Sequence, residues 1–185
     1  MRYNPVDAPE CKADYRGSIV NLQPNTPYEV SLTLEGTTTQ TSLKATTWNE
    51  NFPIASTVKC DSGASTLTID KSGTPDGYVL YDGSGATIDT ANKVKNGIEV
   101  NAAYVILRGF TIRNVAENGI RIFGGHHIVI ENCDVSKWGS EEGNGYGIEM
   151  NAAVYSKQKD LHNVVIQRCK FHNPTWNTNS WAEDH

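Results

Sequence analysis

One short pattern recurs along the second half of the chain and limits the fold more than any other feature. Gly97-Ile-Glu-Val100, Gly119-Ile-Arg-Ile122 and Gly147-Ile-Glu-Met150 share the form Gly-Ile-x-aliphatic, spaced 22 and 28 residues apart. A second series runs between them. Val105-Ile-Leu-Arg-Gly-Phe-Thr-Ile112 aligns without gaps with Ile128-Val-Ile-Glu-Asn-Cys-Asp-Val135 and with Val164-Val-Ile-Gln-Arg-Cys-Lys-Phe171. Similarity at a fixed period is the mark of stacked units, each burying its apolar side against the next. Helix signals are nearly missing, because no window of about eleven residues holds an i, i+3, i+4, i+7 apolar stripe. Short runs rich in Val, Ile, Thr and Tyr, punctuated by Gly, Asn, Asp and Pro, read as strands throughout.

A period near 22, built of strands with Gly or Asn at the corners, fits a right-handed parallel β-helix. Upstream, the stretches Thr66–Asp82 and Gly85-Ala-Thr-Ile-Asp89 look like the entry rungs of this class. They are similar to the opening of extracellular β-helix proteins that resemble pectate and alginate lyases. The resemblance covers about Thr57 to His185. The paired Asp and Gly-His-Gly of a polygalacturonase are absent, and Gly124-Gly-His-His127 is not that motif. The resemblance implies a protein of bacterial type, secreted or at the cell surface, that binds or cleaves polysaccharide. As an enzyme it would be a polysaccharide lyase or a glycoside hydrolase acting on an acidic glycan. The alternative is a non-catalytic cell-surface, adhesion or filament-forming rod.

Residues 1–47 follow a different pattern. Ser18–Leu22, Tyr28–Leu34 and Thr41–Thr47 read as ordinary strands, and Leu22-Gln-Pro-Asn-Thr-Pro-Tyr28 has the makings of a tyrosine corner. In such a corner the phenol hydroxyl satisfies backbone in the preceding turn. This zone resembles the C-terminal half of a fibronectin type III domain, and an unrelated β-hairpin cap is the plainer reading. The expected organisation is all-β: a partial fibronectin type III-like sandwich over 1–47, a linker over 48–56 and β-helix rungs over 57–185. The final Ser180–His185 stops where a strand is due, so the helix reads as truncated.

Charge and cysteine content narrow the function. The net charge is −5 with no long basic tract, so nucleic acid is not an expected partner. No run of about 18 apolar residues is present to span a membrane. Four cysteines, Cys11, Cys60, Cys133 and Cys169, are far apart and form no CxxC, which excludes a zinc ribbon or a thioredoxin-like motif. Cys133 and Cys169 align with Phe110 at an inner position. They read as neighbouring buried thiols acting as small hydrophobes; a disulfide is the lesser alternative, since side by side on parallel strands is poor geometry for one.

Alternation along each strand places Glu99, Arg121 and Glu149 outward in successive rungs. Such a row is either a salt-bridge ladder or the floor of a saccharide groove. Two rungs separate the carboxylates, about 9.6 Å at backbone level, near the roughly 6.5–9.5 Å that an inverting glycosidase uses. A lyase would instead take Arg121 or Lys137 as its base. Two insertions, Ser136–Tyr146 and Val154–His162, flank Glu149. They offer Trp138, Tyr146 and Tyr155 for sugar stacking, and Lys157 and Lys159 for acidic groups. Alternatively these loops only cover sheet. Calcium has candidate oxygen donors in Asp134, Glu141, Glu142 and Asn144, in a spacing that matches no loop motif. His126 and His127 read as turn histidines bonded through their tautomers, with metal ligation as the alternative. Ile106, Val129 and Val165 form an outward apolar row, expected to be covered within the chain or by self-association.

Overall fold

The computed structural model describes residues 2–3, 14–15, 18–140, 145–150 and 161–175. The chain divides into two compact units, Met1–Phe52 and Pro53–His185. In the first, β1 (Arg2–Tyr3) pairs antiparallel with β2 (Asp14–Tyr15), and β3 (Pro27–Thr33) pairs antiparallel with β4 (Gln40–Thr46). Tyr28 faces Ala45, and Val30 faces Leu43, on the apolar side of that hairpin. The Gln23 N–H donates to Tyr28 Oη at 2.8 Å, which is the bond the Leu22–Tyr28 segment was expected to make. Ser18–Leu22 is not a strand. Asn21 takes a left-handed φ of 62°, and Ile19 and Val20 are exposed, so the apolar alternation there finds nothing to pack against.

The second unit runs β5 (Ile54–Lys59), β6 (Leu67–Ile69), β7 (Tyr78–Asp82), β8 (Thr87–Asp89), β9 (Asn96–Asn101), β10 (Val105–Arg108) and β11 (Thr111–Val115). It continues with β12 (Asn118–Gly124), β13 (His126–Glu131), β14 (Asp134–Trp138), β15 (Ile148–Met150), β16 (His162–Gln167) and β17 (Lys170–His172). These strands fill three sheets in rotation. The first holds β5, β7, β10, β13 and β16; the second holds β8, β11, β14 and β17; the third holds β6, β9, β12 and β15. Their ladders are parallel, the geometry of a β-helix. The first strand starts at Ile54, inside the 48–56 segment read as a linker, because Thr57–Lys59 pair with Leu80–Asp82 one rung on.

Register follows the sequence repeat residue by residue. Val105 sits beside Ile128 and then Val164; Leu107 beside Ile130 and Ile166; Ile112 beside Val135 and Phe171. The inner members of the middle rungs are fully buried. Each such Val, Ile or Leu contributes on the order of 1.5–3 kcal/mol. Cys133 lies among them, whereas Cys169 is only half buried; both are free thiols, as is Cys60. Cys11 lies outside the described residues. The outward row Ile106 and Val129 is also buried, at 1% exposure each, with Val165 half buried. Ile106 and Val129 are therefore covered within the single chain, and Val165 in part.

The repeated glycine has a steric cause. A β-carbon on Gly97 would lie 2.7 Å from both Gly119 O and Ile112 Cγ2. On Gly119 it would overlap Val135 Cγ1 and come within 2.6 Å of Gly147 O; on Gly147 it would meet Phe171 Cδ1 at 2.8 Å. None of the three needs a left-handed backbone. Space alone demands glycine here, where the third sheet turns in against the second. Left-handed residues instead form columns at the other corners: Tyr104, His127 and Asn163; Gly109, Asn132 and Arg168; Asn114, Lys137 and Asn173.

Gly119→Ala should destabilise the protein by about 1–3 kcal/mol, since a branched side chain and a carbonyl must both yield. Gly63→Ala is the control, because a β-carbon there meets nothing within 4 Å. It should change stability by no more than about 0.5 kcal/mol. Denaturant midpoints of the two variants, at unchanged slope, check this.

Candidate functional site

On the third sheet Ile98, Val100, Ile120 and Ile122 point into the core, which turns Glu99, Arg121 and Glu149 outward. The three stand in register, with Thr68 preceding them in the row. Arg121 Nε lies 2.9 Å from Glu149 Oε2, but its N–H does not point at that oxygen. The contact is therefore ionic without being a directed hydrogen bond. The Arg121 guanidinium carbon sits 4.5 Å from the centre of the Phe123 ring. Both charged side chains are largely covered, 26% exposed for Arg121 and 18% for Glu149.

Two buried asparagines at the edge of this sheet hold the carboxylates. Asn96 Nδ2 donates to Glu99 Oε1 at 2.8 Å. Asn118 Nδ2 donates to Glu149 Oε2 and to Asn96 Oδ1, both at 2.9 Å. Asn118 Oδ1 in turn accepts the Tyr146 N–H at 3.0 Å. Asn96 and Asn118 precede glycine in two consecutive rungs, and that Asn-Gly-Ile repeat was the signal available in the sequence. The outcome is a row of fixed side chains, with carboxylate, guanidinium and carboxylate in order and an aromatic ring beside the cation.

The other expected site residues scatter. Tyr146 is exposed and lies next to the row through its bond to Asn118. Lys137 belongs to β14 of the second sheet, where its exposed side chain is not brought to Arg121. Trp138 is partly buried and packs against the core, its ring edge-on to Phe171 at 6.5 Å. Its place opposite Val115 in the ladder turns it inward. Tyr155, Lys157, Lys159, Glu141, Glu142 and Asn144 lie outside the described residues. Asp134, the remaining calcium candidate, is 2.9 Å from His172 Nε2. Among the described residues no group of three or more His, Cys, Asp or Glu side chains is arranged to hold a metal.

Charged rows are not confined to the third sheet. On the first, Lys59 meets Asp82 at 2.9 Å, Arg108 meets Glu131 at 2.6 Å, and Gln167 Nε2 donates to Glu131 Oε2 at 2.7 Å. On the second, Arg113 meets Asp89 at 2.9 Å and Asn114 Nδ2 donates to the same carboxylate. The Ser84 hydroxyl and the Lys59 ammonium hold the Asp82 carboxyl well below the usual range. The Asn114 amide, helped by Arg113, lowers the pKa of Asp89.

The corner between β12 and β13 gathers three imidazoles. His126 Nδ1 and His127 Nδ1 are 2.8 Å apart, and Asn163 Nδ2 is 2.9 Å from His127 Nε2. If the Asn163 amide donates, His127 carries its proton on Nδ1 and donates it to His126, so both rings are neutral. Tyr104 stacks on His127 at 4.7 Å and His162 stacks on His126 at 4.9 Å. Burial, then the neighbouring His126 and His162, push the His127 pKa down.

A family model described as a right handed beta helix region matches residues 57–179. The chain belongs to that family, which fixes the hand of its solenoid. No curated protein and no solved structure matches it.

Asn118→Ala removes the partner of the buried Asn96 Oδ1 and of the Tyr146 N–H. Each loss costs about 1–3 kcal/mol, so the variant should be measurably less stable by calorimetry than Glu149→Gln, which keeps an acceptor in place. Acid should weaken the histidine corner. The His127 pKa is lowered in the fold, so its contribution is intact above the unfolded value of about 6.5 and is lost as pH falls below it. His127→Asn suits the left-handed backbone and removes the titration. Its melting temperature should fall less than that of the wild type between about pH 7.5 and about pH 5.5.

Proposed function

We propose that this chain is a secreted or cell-surface polysaccharide-active protein that binds an acidic glycan along the outer face of β9, β12 and β15. Right-handed β-helix domains occur in polysaccharide-active enzymes and in other proteins, and the third-sheet row is what favours the first class. Arg121, whose side chain is 26% exposed, offers a guanidinium to a uronate carboxylate. Phe123 and the exposed Tyr146 offer apolar ring faces to the sugar. Glu99 and Glu149 stand two ladder steps apart, about 9.6 Å between backbones.

That spacing supports hydrolysis better than elimination. One carboxyl group would protonate the departing glycosidic oxygen while the other takes a proton from the attacking water. Elimination needs a base that removes a carbon-bound proton. Lys137 is on another sheet, and Arg121, with its high pKa, gives up a proton poorly. The tyrosine bond in the first unit supports a fibronectin-like module ahead of the β-helix. A non-catalytic rod is the second reading, favoured by one observation: charges of opposite sign meet along the outer faces of all three sheets.

Cleavage of a panel of acidic and neutral polysaccharides by wild type and Glu149→Gln separates the two. Loss of a general acid or base should lower the rate on the order of 10²–10⁴-fold. Equal activity in both proteins would move the site elsewhere. A wild type inert on every substrate would favour the rod.

A further inference from the structure

Cys133 and Cys169 occupy the same place in consecutive rungs, in the bend between β13 and β14 and in the bend between β16 and β17. The Lys170 N–H donates to Cys133 O at 2.8 Å, so the two backbones are ladder neighbours. In-register parallel strands bring such Cα atoms about 4.8 Å apart, within the roughly 4.4–6.8 Å that a disulfide spans. Side chains standing side by side on a flat sheet aim poorly at each other. These two are at a bend, where the Cys133 thiol lies 3.4 Å from Glu131 O. Cys169 Sγ also reaches Ile130 O of the preceding rung at 3.5 Å. Exposure is unequal: Cys133 is buried and Cys169 is half open.

We propose that Cys133 and Cys169 form a redox-active dithiol that small-molecule disulfides oxidise to a staple between consecutive rungs. The Cys169 thiolate attacks one sulfur of the small disulfide, forming a mixed disulfide and expelling the first thiolate, which takes up a proton. Cys133 then gives up its proton and attacks Cys169 Sγ, breaking the mixed disulfide and expelling the second thiol. The protein loses two hydrogens and the small disulfide becomes two thiols. The order is set by access, since only Cys169 is open to the reagent. The hydrogen bond from Cys133 lowers the Cys169 pKa, while that bond and burial raise the pKa of Cys133. The thiolate therefore forms first at Cys169. In an oxidising compartment the pair would be closed.

The test treats the native full chain with oxidised glutathione and maps the products by peptide mass. Wild type should yield a peptide pair linked through Cys133 and Cys169, with a higher melting temperature that returns to its starting value on reduction. Cys133→Ser should stop at a glutathione adduct on Cys169. Cys169→Ser should leave Cys133 unmodified over the same time. A wild type that keeps both thiols free, or that accumulates a lasting adduct on Cys169 without the internal link, overturns the proposal. Circular dichroism of both variants confirms that each is folded before its thiols are counted.

Discussion

The closeness of successive rungs at the inner corner of the third sheet sets the rest of the structure. At Gly97 and Gly119 a β-carbon would strike the next rung's carbonyl, and at these two and Gly147 it would strike the Ile112, Val135 and Phe171 ladder. Only one register lets every rung place its glycine there. Once that corner is fixed, alternation along the strand does the remaining work. Ile98 and Ile120 must enter the core, and Glu99 and Arg121 must leave it. A one-residue slip would turn each strand inside out.

The outward faces follow a second rule. Parallel strands in register would stack like charges about 4.8 Å apart, so opposite charges on neighbouring rungs relieve the repulsion. Lys59 with Asp82, Arg108 with Glu131 and Arg113 with Asp89 all obey it, as does Arg121 with Glu149. Exposed pairs of this kind are worth about 0–1 kcal/mol, so they tune register more than they stabilise. What sets the third-sheet row apart is its buried support. Asn96 and Asn118 tie the carboxylates to the sheet edge, and Phe123 backs the guanidinium. These contacts fix the side chains of the row in place.

Much of this was legible in the sequence because the β-helix repeats its contacts. Three aligned octapeptides specified the partners of Val105, Leu107 and Ile112, and the spacing of the Gly-Ile-x motifs put Glu99, Arg121 and Glu149 in one row. Other features depended on tertiary neighbours that the repeat does not announce. Trp138 looked like a loop aromatic, yet Phe171 and the Gly147 corner make a niche for it. Lys137 is close to the row in sequence, but the chain turns a corner between the second and third sheets. Ser18–Leu22 alternated like a strand without a partner to bury it, and Ile54 joined a sheet because residues of the next rung were waiting opposite. The Asn96 and Asn118 pair was visible only as the residue before each glycine.

The in-register stack itself can be measured in solution. Lys59, Asp82, Arg108, Glu131 and Gln167 occupy one outward row of the first sheet, four ladder steps from end to end. Spin labels at Lys59 and Gln167 are far apart in sequence, yet their backbones should lie about 19 Å apart, four times the ladder spacing. Dipolar spectroscopy should find a single narrow distribution near that distance, widened only by the label arms. A broad distribution, or a peak well beyond about 30 Å, would mean that the rungs do not stack in this register.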